Sequence, residues 1–149
     1  MKIKSPAKLN LHLEVIKKRT DGFHELRTVF QLIDLYDEIE FKLTNKEIDL
    51  VESPFPIKDN LILKAAHLLK KITQTSQGVT IFLDKKIPME KGLGGGSSNA
   101  ATTLIALNKL WGTQLKKDKL MEIGLELGSD IPFFIHSKNT WAEGRGEIF

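Results

Sequence analysis

The stretch PMEKGLGGGSSNAA, residues 88–101, places four glycines within five positions, followed by two serines and the start of a helix-forming segment. Glycine permits positive φ angles and lets a ligand approach the backbone closely. The N–H groups of such a loop can face one concavity, and a following helix adds unpaired N–H groups and the positive end of its dipole. The stretch therefore predicts an anion site, with phosphate as the favoured ligand.

This loop differs from two common phosphate-binding motifs. A Walker A loop has Lys-Ser/Thr directly after its last glycine, whereas Ser97-Ser98-Asn99 follow Gly96. The dinucleotide-binding fingerprint has a third glycine where Ser97 stands. A flexible Gly/Ser hinge is disfavoured because such linkers are usually longer and do not lead directly into a helix. Ser97 and Ser98 are also not predicted nucleophiles, because Gly-x-Ser-x-Gly is absent.

Composition excludes several classes of protein. The 149 residues suffice for one domain with a core, and 41% hydrophobic and 28% charged residues are typical of a globular protein. No apolar run is long enough for a transmembrane helix, and the N-terminus has no apolar segment typical of a signal peptide. The absence of cysteine excludes disulfides, zinc–thiolate sites and cysteine nucleophiles. We therefore expect a cytoplasmic protein with no membrane partner.

The charge is mildly basic and dispersed. A net charge of +3 favours the capture of a polyanionic nucleotide. The lysines are scattered in pairs and only 7% of residues are aromatic, so no nucleic-acid partner is expected.

Hydrophobic periodicity predicts an α+β fold, with helices on one side of a mostly antiparallel or mixed sheet. Leu9, Leu11, Leu13 and Val15 alternate with polar residues, which predicts that Lys8 and Asn10 share a polar strand face. Pro54 and Pro56 indicate a loop. The predicted strands are 7–16, 25–35, 38–43, 48–51, 79–83, 131–136 and 139–143. Helices are predicted over residues 61–72 and 119–127, the latter capped by Asp118. A further helix of about fifteen residues is predicted to follow the glycine loop directly and to end at Gly112.

Two charged residues could serve phosphoryl transfer beside a phosphate loop. This chemistry needs a cation near the transferring group and a base near the acceptor hydroxyl. Lys8 lies early on the first strand, and Asp130 lies between a helix and an apolar segment. A lysine beside this aspartate would keep it ionised. Each residue alone is equally compatible with an ordinary role, as a surface lysine and as a turn or cap residue.

Phe23 and His24 follow the turn Arg19-Thr20-Asp21-Gly22. Rings in such a loop could stack on a ligand base or hydrogen-bond to it, although a hairpin turn with a half-buried Phe is the simpler alternative. No His/Asp/Glu cluster has metal-ligand spacing, so no protein-held metal is predicted, and Mg²⁺ would arrive with a nucleotide.

Residues 88–101 resemble the glycine- and serine-rich motif of the GHMP kinases, which include galactokinase, homoserine kinase and mevalonate kinase. Three further stretches narrow this resemblance to members that act on a cytidine diphosphate-linked methylerythritol. They are SPAKLNL (5–11), RTDGFHEL (19–26) and LGSDIPFF (127–134). The resemblance covers nearly the whole chain and keeps the order of the motifs.

The resemblance implies a role for each matching residue. Lys8 and Asp130 match the catalytic pair, Asn10 a substrate-positioning residue, and Phe23 and His24 the segment that holds cytosine. The family more often has Tyr at the position of Phe23. Lys85 and Asn60 would line the adenine side. The residues matching the ATP phosphate loop are Pro88, Met89, Glu90, Lys91, Gly92, Leu93, Gly94, Gly95, Gly96, Ser97 and Ser98.

The implied activity is phosphorylation by ATP of the 2-hydroxyl of the methylerythritol moiety, in the non-mevalonate isoprenoid pathway. The implied fold is that of ribosomal protein S5 domain 2. Family members are nearly twice as long, so residues 1–149 would be the N-terminal, ATP-binding domain, with the C-terminal domain absent and activity in doubt. The alternatives are another GHMP small-molecule kinase, or a non-catalytic S5-like module that binds nucleotide or RNA. The sequence leaves a homodimer open.

Overall fold

The computed structural model describes residues 1–53, 56 and 58–149 and confirms the α+β fold class. The strands are β1 (Lys2–Lys18), β2 (His24–Thr44), β3 (Ile48–Ser53), β4 (Gly78–Asp84) and β5 (Thr140–Gly144). The helices are α1 (Leu61–Thr73), α2 (Gly95–Leu110), α3 (Lys117–Leu127) and α4 (Ile131–His136).

The five strands form one mixed sheet in which β2 is central. The order is β1-β2-β4-β3, and β5 also pairs with β2. Strand β1 runs antiparallel to β2 along most of its length. On the other edge of β2, β5 pairs with residues 26–30 and β4 with residues 38–44. Among the strands of the described residues, only β3 and β4 pair in parallel.

The core lies between one face of this sheet and the helices. Ile39 and Phe41 of β2 are almost fully buried, as are Ile81 and Leu83 of β4. These positions alternate with more exposed ones, as expected for a sheet with one covered face. The helical residues of the same core cluster include Ala65, Ala66, Leu69, Leu104 and Leu107.

The strand predicted for residues 131–136 is wrong, because this segment is helix α4. The run Ile-Pro-Phe-Phe-Ile is buried throughout, so it shows neither helical nor strand alternation. Short apolar runs of this kind are ambiguous by periodicity alone. Pro132 lies in the first turn of α4, where its missing N–H and fixed φ suit a helix start.

Two other strand predictions needed correction. The break predicted between residues 35 and 38 is absent, because β2 continues through Asp37 as a single strand of 21 residues. Strand β1 is longer than the predicted 7–16.

The cap predicted for the third helix is wrong, because Asp118 lies in the first turn of α3 and Lys116 occupies the N-cap. Pro54 lies outside the described residues, and Pro56 belongs to no regular element.

The apolar face predicted on β1 does not enter the core. Leu11, Leu13 and Val15 are 63%, 55% and 57% exposed, whereas Lys8 is only 5% exposed. All residues from 9 to 18 are exposed, and this half of β1 pairs with residues 24–31 of β2. The β1–β2 hairpin therefore carries an apolar surface to solvent.

Candidate phosphoryl-transfer site

The glycine loop leads directly into α2. Gly94 is the N-cap of α2, and both Gly92 and Gly94 have φ near +70°. The first bond of the helix runs from the Ser98 N–H to the Gly94 carbonyl over 2.8 Å. The amides of residues 95–97 precede it and have no partner within the helix. These amides and the helix dipole make this end suitable for an anion.

Two glycines of the loop lie so close to neighbouring side chains that a Cβ at either would make a tight contact. A Cβ at Gly94 would lie 2.8 Å from the Phe134 ring and 3.1 Å from Cγ of Lys8. A Cβ at Gly95 would lie 3.0 Å from Ile87 and 3.2 Å from Nζ of Lys85. The loop is therefore packed against the strand and helix residues that carry the charged groups of the site.

The loop and α2 border a cleft of about 490 Å³, a volume typical of small-molecule sites. Most of the predicted site residues are brought together here, including Lys8, Asp130 and residues 88–97. The complete lining is Lys8, Asp59, Asn60, Leu61, Lys85, residues 88–97, Asn99 and Asp130.

Lys8 and Asp130 form an ion pair at this cleft, with Nζ 3.4 Å from Oδ2. The side chain of Lys8 is 6% exposed and that of Asp130 is 32% exposed. A buried ammonium is costly unless it is paired. Lys8 also donates to Oδ1 of Asn10 over 2.5 Å and lies 4.8 Å from the centre of the Phe30 ring. The predicted common face of Lys8 and Asn10 is thus confirmed.

Lys8 is also attached to the glycine loop through its backbone. Its N–H donates to the Leu93 carbonyl over 2.9 Å. Asp130 occupies the residue before α4, directly after the short turn that ends α3 at Gly128. The lysine is thus positioned by a strand, and the aspartate by the junction of two helices.

Phe23 and His24 line a second, smaller cleft of about 300 Å³. Its other lining residues are Val15, Gly22, Leu26, Ser129 and Arg145. The Arg145 guanidinium lies 4.6 Å from the centre of the Phe23 ring, a cation–π contact. Ser129 lines this cleft while its neighbour Asp130 lines the first, so the two clefts have consecutive residues in their linings.

The turn before Phe23 is held by Asp21. Its Oδ1 accepts from the Phe23 N–H over 3.1 Å, and its carboxylate pairs with Arg19 at 3.0 Å. Desolvation raises the pKa of Asp21, but the Phe23 amide and the Arg19 guanidinium together outweigh it and leave this pKa below its usual value. The aromatic ring is therefore presented by an ordered turn.

Ser98 and Asn60, both expected to contact ATP, have side chains that form hydrogen bonds within the protein. The Ser98 side chain is fully buried outside the cleft lining, where its hydroxyl shares a 2.8 Å hydrogen bond with Ser5. Asn60 lines the cleft, but its side chain caps α1 by accepting from the Ile62 N–H over 2.9 Å. Ser97 is thus the serine of the pair that borders the cleft.

Sequence reasoning missed Asp37, which is fully buried beneath the cleft. Its Oδ1 accepts from the N–H groups of Lys86 and Ile87, each over 2.7 Å. Its Oδ2 accepts from Asn99 over 2.8 Å and lies 3.0 Å from Nζ of Lys85. The only signal near it was its place between the apolar residues of a strand, where a buried carboxylate would require partners, but Asp34, Glu38 and Glu40 give the same signal.

Two features are absent from the described part of the chain, a cluster of metal ligands and a helix suited to a bilayer. This part of the chain contains no group of three or more His, Asp or Glu residues that could hold a metal ion. Among its helices, none has the length and apolar character needed to cross a bilayer.

The fold and the cleft define a class of protein: an α+β domain in which a glycine loop opens a helix beside a paired lysine and aspartate. The model of the "GHMP kinases N terminal domain" matches residues 60–138. The chain therefore belongs to the GHMP kinase family.

Individual relatives give a finer comparison. The chain is 51% identical to the 4-diphosphocytidyl-2-C-methyl-D-erythritol kinase of Ruthia magnifica subsp. Calyptogena magnifica, over 97% of this chain and 52% of that protein. It is 53% identical to the enzyme of the same name from Prochlorococcus marinus (strain MIT 9301), over 99% of this chain and 49% of that protein. The chain thus spans about half the length of these curated relatives.

Solved structures agree on the fold. A crystal structure of 4-(cytidine 5'-diphospho)-2C-methyl-D-erythritol kinase matches with a TM-score of 0.87 and 37% identity, covering 99% of this chain and 53% of that one. The Methanococcus jannaschii mevalonate kinase matches with a TM-score of 0.63 and 22% identity, over 94% of this chain and 48% of that one. At that identity the second match shows a shared fold alone.

Proposed function

We propose that this chain is the N-terminal part of a kinase that transfers a phosphoryl group from ATP to the 2-hydroxyl of 4-diphosphocytidyl-2-C-methyl-D-erythritol. The observation that carries the proposal is the Lys8–Asp130 ion pair in the glycine-loop cleft, because Asp130 directly follows Ser129 of the cleft that Phe23 and His24 line. The names of relatives about half identical to the chain supply the substrate. Since ATP is the proposed donor, we place the activity in the cytoplasm.

The residues of the first cleft fit a nucleotide. The amides at the start of α2 suit phosphate oxygens, and the lack of a Cβ at Gly94 and Gly95 lets the loop pack closely against Phe134, Lys8 and Ile87. Lys85 and Asn60 border the same cleft and are proposed to lie on the adenine side. Ser97 is proposed as a phosphate or Mg²⁺ contact, with the metal arriving together with the nucleotide.

The second cleft fits a cytidine diphosphate. The Phe23 ring is 48% exposed and can stack on a base, and His24 can hydrogen-bond to the base edge. Phenylalanine in place of tyrosine retains stacking and lacks the hydroxyl contact. Arg145 borders this cleft and is proposed as a partner for the diphosphate, because a guanidinium can bind two phosphate oxygens at once.

Asp130 and Lys8 divide the chemistry between them. The ATP supplies a γ-phosphoryl group to the acceptor oxygen, with ADP as the leaving group. Asp130 accepts the proton of the acceptor hydroxyl on its carboxylate. Lys8 pairs with the Asp130 carboxylate and stabilises the negative charge that develops on the acceptor oxygen. Asn10 lies beside Lys8 and is proposed to position the acceptor hydroxyl.

A second domain would complete the substrate site. The relatives are about twice as long as this chain. In the proposed whole protein, the additional half is proposed to supply a further aromatic partner for the base. The apolar surface of the β1–β2 hairpin is the proposed contact for that half, since it otherwise faces water. Its most exposed members are Leu9, Leu11, Leu13, Val15 and Ile16.

The proposal is tested by the substitution Asp130→Asn. We expect ATP affinity within about twofold of the wild type and turnover lowered by about a hundredfold or more, the range for loss of a general base. The assay follows ADP formation with the cytidine diphosphate substrate, using this chain and the longest natural polypeptide that contains it. Asp118→Asn, a carboxylate in the first turn of α3, is the matched control.

Two results would contradict the proposal. Near-normal turnover of Asp130→Asn would remove this carboxylate from the mechanism. Failure of the longest wild-type polypeptide to phosphorylate the cytidine diphosphate alcohol, with ATP still bound, would reject the substrate and favour another acceptor alcohol or a non-catalytic nucleotide-binding module.

A further inference from the structure

Thr28 is a fully buried polar residue in the middle of β2, next to the proposed catalytic pair. It lies opposite Leu13 of β1 on one side and Ala142 of β5 on the other. A residue flanked by hydrogen-bonded strands on both sides has a closely fixed backbone. Its side chain is therefore a rigid reference point for neighbours on β1.

The hydrogen bonds of the Thr28 hydroxyl have a fixed direction. It donates to the His12 carbonyl over 2.7 Å, and its oxygen accepts from Nδ2 of Asn10 over 2.7 Å. A hydroxyl has one proton, and the carbonyl cannot donate, so that proton is committed to His12. The oxygen can then only accept, which requires Asn10 to turn its NH₂ group toward Thr28.

This orientation fixes the other end of the Asn10 amide. Its Oδ1 faces Lys8 and accepts from Nζ over 2.5 Å. Rotation of the amide by 180° would direct its NH₂ group at the ammonium and its oxygen at a hydroxyl whose proton is already committed. Both ends would then lack a hydrogen bond, and the buried Thr28 hydroxyl and Lys8 ammonium would each lose a partner, which is costly.

We propose that Thr28 is a positioning residue for phosphoryl transfer, acting through the Asn10 amide to hold the Lys8 ammonium in place beside Asp130. The relay runs from the His12 carbonyl through Thr28 and Asn10 to Lys8, which lies 3.4 Å from Oδ2 of Asp130. Thr28 lines neither cleft, so it is not assigned a contact with either substrate.

A β-bulge accompanies this relay. The register of β1 against β2 shifts between Asn10 and His12, so Leu11 is the additional residue. Bulges disrupt the regular ladder and redirect nearby groups. Here the His12 carbonyl and the Asn10 side chain both meet one hydroxyl of β2. The bulge therefore belongs to the geometry that we assign to the site.

The experiment compares Thr28→Val, which keeps the size and removes the hydroxyl, with Thr28→Ser, which keeps the hydroxyl. Thr73→Val is the matched control, because it removes a threonine hydroxyl that donates to the Leu69 carbonyl within α1. We expect Thr28→Val to lower kcat about tenfold or more, with KM for ATP within about twofold. Thr28→Ser and Thr73→Val should keep kcat within about twofold of the wild type.

A second measurement does not depend on turnover. The side-chain ¹⁵N–¹H signals of Asn10 report whether its amide is held, and their exchange with water should become about tenfold faster or more in Thr28→Val only. Thr28→Ala replaces Thr28→Val in both measurements if the valine variant does not fold.

The kinetic part of this test rests on the proposed function, and the two can fail separately. If the wild type does not phosphorylate the cytidine diphosphate alcohol, the proposed function fails, and the Asn10 exchange rates alone decide the relay. Unchanged kcat in folded Thr28→Val, equal losses in Thr28→Val and Thr28→Ser, or unchanged Asn10 exchange would each overturn the positioning role.

Discussion

Replacement of Asp37 by asparagine tests whether the buried carboxylate holds the base of the nucleotide cleft. The substitution preserves size and leaves one oxygen to accept from the Lys86 and Ile87 amides. It also places an NH₂ group where Oδ2 accepted from Asn99 and paired with Lys85 at 3.0 Å. The charge of Lys85, whose side chain is 11% exposed, then lacks its carboxylate.

The expected loss of stability can be worked out from these contacts. Removing one partner of a buried ion pair costs about 3–5 kcal/mol. Asn99 can recover one hydrogen bond by rotating its amide, because Oδ1 of Asn99 has no partner among the described residues. One hydrogen bond is worth about 1 kcal/mol, so we expect a net loss of about 2–4 kcal/mol. For a chain of this size that lowers Tm by roughly 5–15 °C.

The assay is urea and thermal unfolding followed by circular dichroism. Asp34→Asn is the matched control, since Asp34 is exposed on the same strand, and we expect a change within about 0.5 kcal/mol. The double variant Asp37→Asn, Lys85→Met should be less destabilised than the sum of its single variants by about 1 kcal/mol or more. If Asp37→Asn unfolds like Asp34→Asn, the carboxylate network does not hold the cleft and the reasoning is refuted.

Three further predictions concern the loop, the aromatic cleft and pH. Gly94→Ala should lose about 1–3 kcal/mol more stability in urea than Gly92→Ala, because both have φ near +70° but only a Cβ at Gly94 meets the Phe134 ring; equal losses would contradict the packing argument. Phe23→Ala should weaken binding of the cytidine diphosphate substrate by about 1–3 kcal/mol in calorimetry, and an unchanged affinity would rule out stacking. Burial first, and then Lys117 and Lys138, lower the pKa of His136, so the folded state prefers the neutral ring. Stability should therefore fall as pH decreases below about 6.5 toward the folded pKa, and unfolding of His136→Gln compared at pH 7.5 and 5.5 should lack this component.

Features fixed by local chemistry were predictable from the sequence. The end of α2 near Gly112 and the glycine loop before α2 depend on neighbouring residues, and the structure places both as predicted. The fold class followed from the same periodicity. Helix α4 was not predicted because its apolar run has no period, and its helical form is decided by packing against the rest of the core.

Features that join distant segments could not be read from the sequence. Asp37 meets partners 48 to 62 positions away, and nothing near it identifies them. The Asn10–Thr28 bond likewise depends on a strand register that is shifted by a bulge. The alternation on β1 correctly placed Lys8 and Asn10 on one face, but it could not show that the apolar face lies beyond the helices.

Lys8 is the residue that joins the parts of the site, and this has a mechanical consequence. Its backbone N–H is bonded to Leu93, its side-chain stem lies against Gly94, and its ammonium meets Asn10 and Asp130. A shift of the glycine loop therefore acts on the lysine directly, through one hydrogen bond and one packing contact. The relay through Asn10 opposes such a shift from the side of β2. Under the proposed function, we expect this single side chain to couple occupancy of the loop with the geometry at Asp130, so that the proposed base acts beside a bound phosphoryl donor.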